Sequence, residues 1–324
     1  MTKNITRRQL AAGAAVALLA PATLLAQEFP SQPVRIIVPL TPGGSNDVLA
    51  RLIAERLGAQ WKQSVVVDNR PGGSGNIGAE AVARAQPDGY TLLVAPNNVF
   101  TINHTLSPRL VAGRELAPIS MLGSVPFVLV AGPSARVGTV KELVDLSRSR
   151  GNGLSYASSG SGSPHHLAAE MFRTLTGARL THIPYKGAAP AITDLLGGQV
   201  DMQFGAINQL LPHIREGKLR ALAMAGNERV PLLPDVPTLA EAGVPGRQPE
   251  VWVALAAPLR TPPAVVERIN RDVRAVLAQP DVRARMAEQG IVVASSTPAE
   301  LGQTIEDDTR RWAQVIRDAN IKAE

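Results

Sequence analysis

The sequence has no cysteine among its 324 residues. Disulfide bonds and thiolate metal sites are therefore excluded, and so is a lipid-anchored lipoprotein, which needs a cysteine at its cleavage site. Aromatic residues make up only 3% of the chain, too few for the stacking platforms that bind nucleic-acid bases. The arginines are spread along predicted helices rather than massed in one patch, so the net charge of +6 does not indicate a nucleic-acid partner either.

Signatures of catalysis are also missing. The glycine-rich loops lack the G-x-x-x-x-G-K-[ST] pattern of a phosphate-binding loop, and Ser158 does not lie in a nucleophile elbow. His165 and His166 are neighbours on a predicted helix and point about 100° apart, so they cannot easily chelate one metal ion. We expect His166 to donate a hydrogen bond to a ligand and His165 to be exposed. No enzyme activity, metal or cofactor is predicted.

The first 26 residues have the pattern of a cleavable export signal. Three basic residues, Lys3, Arg7 and Arg8, precede an apolar stretch that runs from residue 10 to residue 25. The run TRRQL around the two arginines resembles a twin-arginine signal, and the Sec and twin-arginine export routes both stay open. No later stretch is long and apolar enough to span a bilayer, so we expect a periplasmic protein that starts where the signal ends.

Short apolar strands, glycine-rich loops and helices alternate through the rest of the chain. The strand at residues 34–40 leads into a T-P-G-G loop and a helix that ends at Gly58, and the strand at residues 90–95 leads into a loop at residues 96–101. Alternation of this kind predicts doubly wound α/β sheets, whose ligands lie at the carboxyl ends of the strands.

A second series of strands and helices begins at Leu154. Extended apolar crossings near residues 118–132 and 249–258 separate it from the first series and from the C-terminal helices. Two doubly wound sheets joined by a double crossover hinge, with glycine-rich loops facing one cleft, describe a clamp that closes on a ligand. The predicted limits are residues 1–26 for the signal, 27–124 plus 253–324 for the first lobe, and 125–252 for the second lobe.

The loop at residues 158–163 indicates what kind of ligand is bound. It follows a strand at residues 154–157 and precedes a helix, with Ser163 as the predicted N-cap and Pro164 as the first helical residue. Loop glycines let a ligand approach the backbone, and a helix start leaves N–H donors free beneath a partial positive charge. The loop is therefore suited to a carboxylate or another small anion.

Four runs of the sequence match, in order, the motifs of one protein family: VRIIVPLTPGGSNDVLARLIAERL, VVVDNRPGGSGNIGAEAVARAQPDGYTLL, LSYASSGSGSPHHLAAEMF and HIPYKGAAPAITDLLGGQVDMQF. They resemble the extracytoplasmic solute-binding receptors of tripartite tricarboxylate transporters, the Bug (Bordetella uptake gene) family, over essentially all the mature chain. The resemblance implies a type II-like, two-lobed periplasmic binding protein fold, usually monomeric. Such a receptor captures a small organic acid and passes it to the integral membrane permease subunits of the transporter.

The resemblance also implies which residues hold the ligand carboxylate. In this family, backbone N–H groups and ordered waters of two facing loops bind it, and the end of a third strand and the start of a short helix form the cleft wall. The residues expected to bind the ligand are Thr41, Gly43, Gly44, Asp47, Asn97, Thr101, Ser158, Gly160, Ser161, Ser163, His166, Gly187 and Ala188.

Several questions stay open at this level. The closed receptor could deliver its acid to a permease or, alternatively, present it to a membrane signalling partner, and the sequence does not separate these roles. The size of the acid and any amino substituent are equally undetermined. Asp47, Lys186 and Trp252 each have a ligand-binding and a structural interpretation: Asp47 as an N-terminal helix residue, Lys186 as a solvated cation, and Trp252 as hinge packing.

Overall fold

The computed structural model describes residues 29–106, 112–226, 228–244, 251–318 and 321. The predicted export signal, residues 1–26, and the first two residues of the second crossing, 249–250, lie outside this set. No helix within the described ranges is long and apolar enough to cross a membrane. From Gln32 onward the described residues form one compact unit, and this unit contains all the strands and helices named below.

Two mixed sheets form the framework. The strands are β1 (Val34–Val38), β2 (Val65–Asn69), β3 (Thr91–Pro96), β4 (Leu116–Val125), β5 (Phe127–Ala131), β6 (Leu154–Ser158), β7 (Leu180–Pro184), β8 (Met202–Ala206), β9 (Arg220–Met224), β10 (Val251–Pro258) and β11 (Val292–Val293). The first sheet has the order β11-β4-β10-β3-β1-β2, and the second has the order β7-β6-β8-β5-β9.

The two sheets repeat one arrangement. β1 pairs in parallel with β2 and β3, and β6 pairs in parallel with β7 and β8. An antiparallel strand follows in each sheet, β10 beside β3 and β5 beside β8. Because parallel strands end at the same edge of a sheet, the loops after β1 and β3 emerge together, as do the loops after β6, β7 and β8.

The chain passes from the first sheet to the second at Pro126. β4 ends at Val125 and β5 begins at Phe127, so one residue separates strands that belong to different sheets. Proline cannot donate a ladder hydrogen bond, which explains why the crossing predicted as one extended run divides here. The chain returns to the first sheet through β10. The predicted α/β fold with two sheets and a double crossover is confirmed.

Helices cover both sheets. They are α1 (Ser45–Trp61), α2 (Asn76–Ala83), α3 (Asn97–Thr101), α4 (Asn103–Leu106), α5 (Val140–Ser149), α6 (Pro164–Thr176), α7 (Ala188–Leu196), α8 (Ile207–Arg215), α9 (Pro263–Leu277), α10 (Pro280–Glu288) and α11 (Pro298–Asp318). The C-terminal helices α9 and α11 pack on β4 of the first sheet, the return that the second crossing predicts.

The first helix does not end where the sequence indicates. Gly58 was expected to end it, but α1 continues to Trp61, and Lys62 in the left-handed conformation ends it instead. The reason is tertiary: Trp61 is buried and its indole N–H donates to Asp272 Oδ2 of α9 at 2.8 Å. A hydrogen-bonded buried indole outweighs the low helix propensity of one glycine.

Two helices were not expected. Residues 97–101 were predicted as loop but form α3, because Val99 and Phe100 are buried in the core of the first sheet. The helix α8 follows β8 directly, and its N-cap residue Ala206 provides no capping side chain. Its buried residues Ile207, Leu210 and Leu211 provide the packing that holds it. Neither helix has a side-chain cap at its start.

Trp252 is a packing residue of the first sheet. It is 4% exposed, its ring stacks on Phe100 with centroids 5.9 Å apart, and its indole N–H donates to Asp308 Oδ2 of α11 at 2.7 Å. These contacts fix β10 beneath α3 and α11. The structural interpretation of this tryptophan is therefore the one that its contacts support.

Gly78 and Gly302 provide a matched test of packing. Both lie within helices, but a Cβ on Gly78 would approach Pro39 Cα to 2.8 Å and the Arg70 carbonyl oxygen to 3.0 Å, whereas on Gly302 it would meet only Pro118 Cγ at 3.9 Å. We expect Gly302→Ala to raise the free energy of unfolding by up to about 1 kcal/mol through helix propensity. Gly78→Ala should lower it by about 1–3 kcal/mol through overpacking.

Urea denaturation followed by circular dichroism measures both changes. A Gly78→Ala protein as stable as the Gly302→Ala protein would contradict the close approach of α2 to the end of β1.

Candidate functional site

A cavity, here called the central cavity, lies between the carboxyl-end edges of the two sheets. Its lining comes from the loops after β1, β2, β3, β6, β7 and β8 and from the hinge residues Val125, Phe127 and Val251. It encloses about 620 Å³ of atom-free space, including its opening to solvent. Loops from both sheets thus line one shared hollow.

Four helices of eight or more residues begin at the central cavity in the part of the chain that the structure describes. The lining residues at these starts are Gly44, Ser45 and Asn46 of α1, Ser163, Pro164 and His165 of α6, Gly187 and Ala188 of α7, and Ala206 and Gln209 of α8. Each helix start carries N–H groups without an intrahelical acceptor and about half a positive charge. The cavity is therefore electropositive without the help of a cation and is suited to an anion.

Of the first predicted loop, Thr41 and Gly44 line the central cavity, whereas Gly43 and Asp47 do not. Asp47 is 4% exposed and its carboxylate is fully engaged. Oδ2 accepts hydrogen bonds from the Gly43 backbone N–H at 3.0 Å and from Arg51 Nε at 2.9 Å, and Oδ1 accepts from Asn69 Nδ2 at 3.0 Å. The Gly43 donor that the sequence assigns to a ligand is thus used by Asp47.

Asp47 is ionised in this network. Burial opposes the charge, but the hydrogen bonds from Arg51, Gly43 and Asn69 outweigh it and hold the pKa of the carboxyl below its ordinary value. Because its oxygens point to these partners, Asp47 supports the loop. Its role is structural in this arrangement.

In the second predicted loop, too, some of the predicted residues line the cavity and others do not. Ser163 lines the central cavity, and Gly160 and Ser161 line its mouth, where Lys186 lies exposed. Ser158 faces inward and is fully buried. Its Oγ accepts from the Gly160 backbone N–H at 3.1 Å and contacts His182 Nε2 at 2.6 Å, so Ser158 holds the loop in shape.

His165 and His166 have the opposite positions to those predicted. His166 does not line the cavity: its Nδ1 accepts from the Gly162 backbone N–H at 3.0 Å, and its ring stacks on His182 with centroids 4.1 Å apart. His165, predicted to be exposed, is only 9% exposed and lines the cavity. The prediction of an exposed His165 is wrong because Phe127 from the hinge packs against its ring, with centroids 4.9 Å apart.

His165 has one nitrogen engaged and one available. Its Nδ1 lies 2.7 Å from Ser159 Oγ, whereas its buried Nε2 has no hydrogen-bond partner. Burial lowers the pKa of the imidazole from 6.5 to about 4. The ring is therefore neutral at physiological pH, and its unpartnered Nε2 carries no charge.

The helix after β3 contributes a different residue to the cavity lining from the two that were predicted. Asn97 and Thr101 are buried inside the first lobe, where Thr101 Oγ1 donates to the Asn97 carbonyl oxygen at 2.8 Å. Asn98 lines the central cavity instead. Its Nδ2 donates to the Ser74 carbonyl oxygen at 2.9 Å, and its Oδ1 has no partner. The phase of α3 decides which asparagine faces the cavity, and a predicted loop carries no such phase.

Five further polar lining residues are not among those predicted to bind the ligand. Ser45, Asn46 and Gln209 line the cavity from helix starts, and Ser74 and Ser159 line it from loops. Asn46 is 8% exposed and its Oδ1 has no partner. Gly187 and Ala188 lie in the lining as predicted. The described residues contain no group of three or more potential metal ligands.

The loops of the two lobes approach each other closely. A Cβ on Gly187 would lie 2.9 Å from Thr41 Cγ2, and this glycine has a φ of +129° that other residues avoid. Ser45 Oγ donates to Asn208 Oδ1 at 2.7 Å, and Ser74 Oγ donates to the Ser161 carbonyl oxygen. These contacts join the start of α1 and the loop after β2 to the second sheet, so the arrangement is a closed one.

Comparison with known proteins identifies a family of receptors with the same sequence pattern. The model of the tripartite tricarboxylate transporter family receptor matches residues 49–321. The protein BugT of Bordetella pertussis is 37% identical over 323 residues, which cover 98% of this chain and 99% of BugT.

Solved structures with the same fold include binding proteins with their ligands. R. palustris Rpa4515 with adipate is 35% identical with a TM-score of 0.87, covering 92% of this chain and 100% of that one. The periplasmic binding protein BugD is 33% identical with a TM-score of 0.84, covering 91% and 100%. MatC of Rhodopseudomonas palustris with bound malate is 33% identical with a TM-score of 0.82, covering 89% and 100%.

Because His165 is buried in its neutral form, we expect the folded protein to lose stability at acidic pH. An unfolded histidine titrates near pH 6.5, whereas the folded ring does so near 4. As the pH falls through this window, the unfolded chain takes up a proton that the folded chain does not, so the free energy of unfolding falls by up to about 3 kcal/mol. His165→Gln should remove this part of the loss.

Urea denaturation at steps between pH 7 and pH 4 measures the difference between the two proteins. His213→Gln, in the last turn of α8 and outside the cavity lining, is the control. Identical slopes for the unmodified chain and the His165→Gln protein would contradict a buried neutral ring.

Proposed function

Because the chain belongs to the tripartite tricarboxylate transporter receptor family, we propose that it captures a small organic acid in the central cavity and delivers it to the membrane components of such a transporter. The family consists of solute-binding receptors and is not a family of enzymes. Adipate and malate, present in two structures with this fold, are both small organic acids.

The observation that carries this proposal is the convergence of four helix starts on one hollow. Carboxylate oxygens accept hydrogen bonds from free N–H groups, and each helix start adds about 0.3–1 kcal/mol of favourable interaction with a negative charge. The starts come from both sheets: α1 follows a strand of the first, and α6, α7 and α8 follow strands of the second. One acid thus contacts both halves of the molecule at once.

Closure follows from this division of the site. In the open form each lobe offers only part of the donors, whereas in the closed form both sets share one anion. The ligand therefore binds the closed form more tightly and shifts the equilibrium toward it. The proposed lobes are residues 27–124 plus 253–324 and residues 125–252, with the crossings at Pro126 and β10 as the hinge.

We place the working protein in the periplasm as a monomer. The likeness to a periplasmic binding protein and the basic and apolar pattern of the first 26 residues support export through a cleavable signal. A binding protein of this kind meets its membrane partner in the closed form, which presents surfaces of both lobes side by side.

A panel of matched solutes tests the function. We expect isothermal titration calorimetry to detect binding of at least one mono-, di- or tricarboxylate and none of the corresponding primary amide or alcohol, since only the ionised acid gains from the helix starts. The bound acid should also reduce the radius of gyration measured by small-angle X-ray scattering. Tight binding of a non-acidic solute, with no heat from any acid, would refute the assignment.

Asn208 tests the closed arrangement separately. It accepts from Ser45 Oγ across the lobes but does not line the cavity. Losing one such hydrogen bond costs about 0.5–1.5 kcal/mol, so Asn208→Ala should weaken the affinity for the bound acid by roughly two- to tenfold. Asn152→Ala, at an exposed turn of the second lobe, should leave the affinity unchanged. Equal dissociation constants for the two variants would show that this contact does not stabilise closure.

A further inference from the structure

The central cavity is electropositive but contains no charged side chain among its described lining residues. The carboxylate of Asp47, at the start of α1, is held by Gly43, Arg51 and Asn69 and does not line the cavity. Lys186 lies at the mouth and is exposed. A ligand inside the cavity therefore meets helix starts and uncharged side chains only.

This composition selects against one common feature of small acids, the ammonium group. A buried ammonium needs a carboxylate partner, because its desolvation cost otherwise stays uncompensated. Here it would also face the positive ends of α1, α6, α7 and α8. The free amide oxygens of Asn46 and Asn98 accept hydrogen bonds but carry no net charge. They suit a hydroxyl group or a water molecule better than a cation.

His165 is the side chain best placed to recognise the acid itself. It is nine-tenths buried, lines the cavity, and has an Nε2 atom without a partner. Its position is fixed on two sides, by Ser159 Oγ at Nδ1 and by the ring of Phe127. When the Ser159 hydroxyl donates to Nδ1, the ring proton is on Nε2, and Nε2–H becomes a donor for a ligand oxygen.

Part of the lining is apolar, beside the hydroxyl groups of Thr41, Ser45, Ser74, Ser159 and Ser163 and the amide of Gln209. Val125, Phe127 and Val251 come from the hinge, and Pro96 and Ala206 come from the ends of β3 and β8. Their side chains form no hydrogen bonds. They therefore favour a ligand whose carbon chain carries few polar substituents.

We propose that the ligand of the central cavity is an organic acid with a hydrocarbon body and no ammonium group, and that His165 Nε2–H donates a hydrogen bond to one of its oxygens. This inference rests on the proposed function, since it names the class of acid that the same site takes. It excludes amino acids as ligands and admits hydroxy acids.

Matched triads of ligands test the class of acid. In each triad a hydrogen, a hydroxyl or an ammonium occupies the same carbon: succinate, malate and aspartate; glutarate, 2-hydroxyglutarate and glutamate; 3-phenylpropionate, 3-phenyllactate and phenylalanine. We expect calorimetry on the full mature chain to show binding within at least one triad, with the ammonium member at least about a hundredfold weaker than its unsubstituted partner. The hydroxyl member should stay within about tenfold of that partner.

The outcomes separate the two proposals. If no acid in a broad carboxylate panel binds and a non-acidic solute does, the proposed function fails. If acids bind but the ammonium member of a triad is as tight as its partner or tighter, the function stands and this inference is overturned.

Variants of His165 test its role as donor. His165→Phe keeps the ring shape but removes the donor, and we expect the affinity to fall roughly tenfold or more. His165→Gln, whose amide N–H reaches a similar position, should retain a larger part of the affinity. His213→Phe is the control for a histidine-to-phenylalanine change elsewhere. Thermal melting of each protein separates a loss of binding from a loss of folding.

Nitrogen-15 NMR of the imidazole gives an independent readout in the unmodified protein. The proposal requires Nε2 to carry the proton, Nδ1 to be unprotonated, and the Nε2 resonance to shift when acid binds. The opposite tautomer, or an affinity of His165→Phe equal to that of the unmodified chain, would overturn the assignment of His165.

Discussion

The structure depends on the convergence of helix N-termini at one place. An α-helix cannot satisfy the N–H groups of its first turn internally, and a doubly wound sheet directs each helix start toward the carboxyl-end edge of its strands. Two such sheets facing each other bring the starts of α1, α6, α7 and α8 to the same hollow. The backbone alone therefore creates an electropositive site, which needs an anion to complete its hydrogen bonds.

Backbone recognition leaves the side chains free to decide which anion is bound. The lining of the central cavity can exchange apolar and neutral polar residues without losing its donors, because those donors belong to the main chain. This explains how one fold accommodates the different acids seen in structures that resemble this one. On our proposal, the selectivity of this chain resides in a few side chains such as His165 and Asn98, which line the cavity from α6 and α3.

Much of the fold could be predicted because its signals are local. Gly, Ser and Pro mark the strand-to-helix turns, and the positions of Thr41, Gly44, Ser163 and Gly187 in the cavity follow from those turns. The direction of a side chain on a helix start is not local. His165 turns inward because Phe127, far away in the sequence, packs against it, and no periodicity within α6 encodes that contact.

The network at Asp47 has a consequence for the thermodynamics of recognition. The Asp47 carboxylate already accepts hydrogen bonds from Gly43, Arg51 and Asn69. The turn before α1 is therefore ordered before any ligand binds. The conformational entropy of that turn is lost once, when the chain folds, and is not lost again at each encounter with a solute. In the closure that we propose, binding energy then goes almost entirely into drawing the two halves of the molecule together, because this turn is already preorganised.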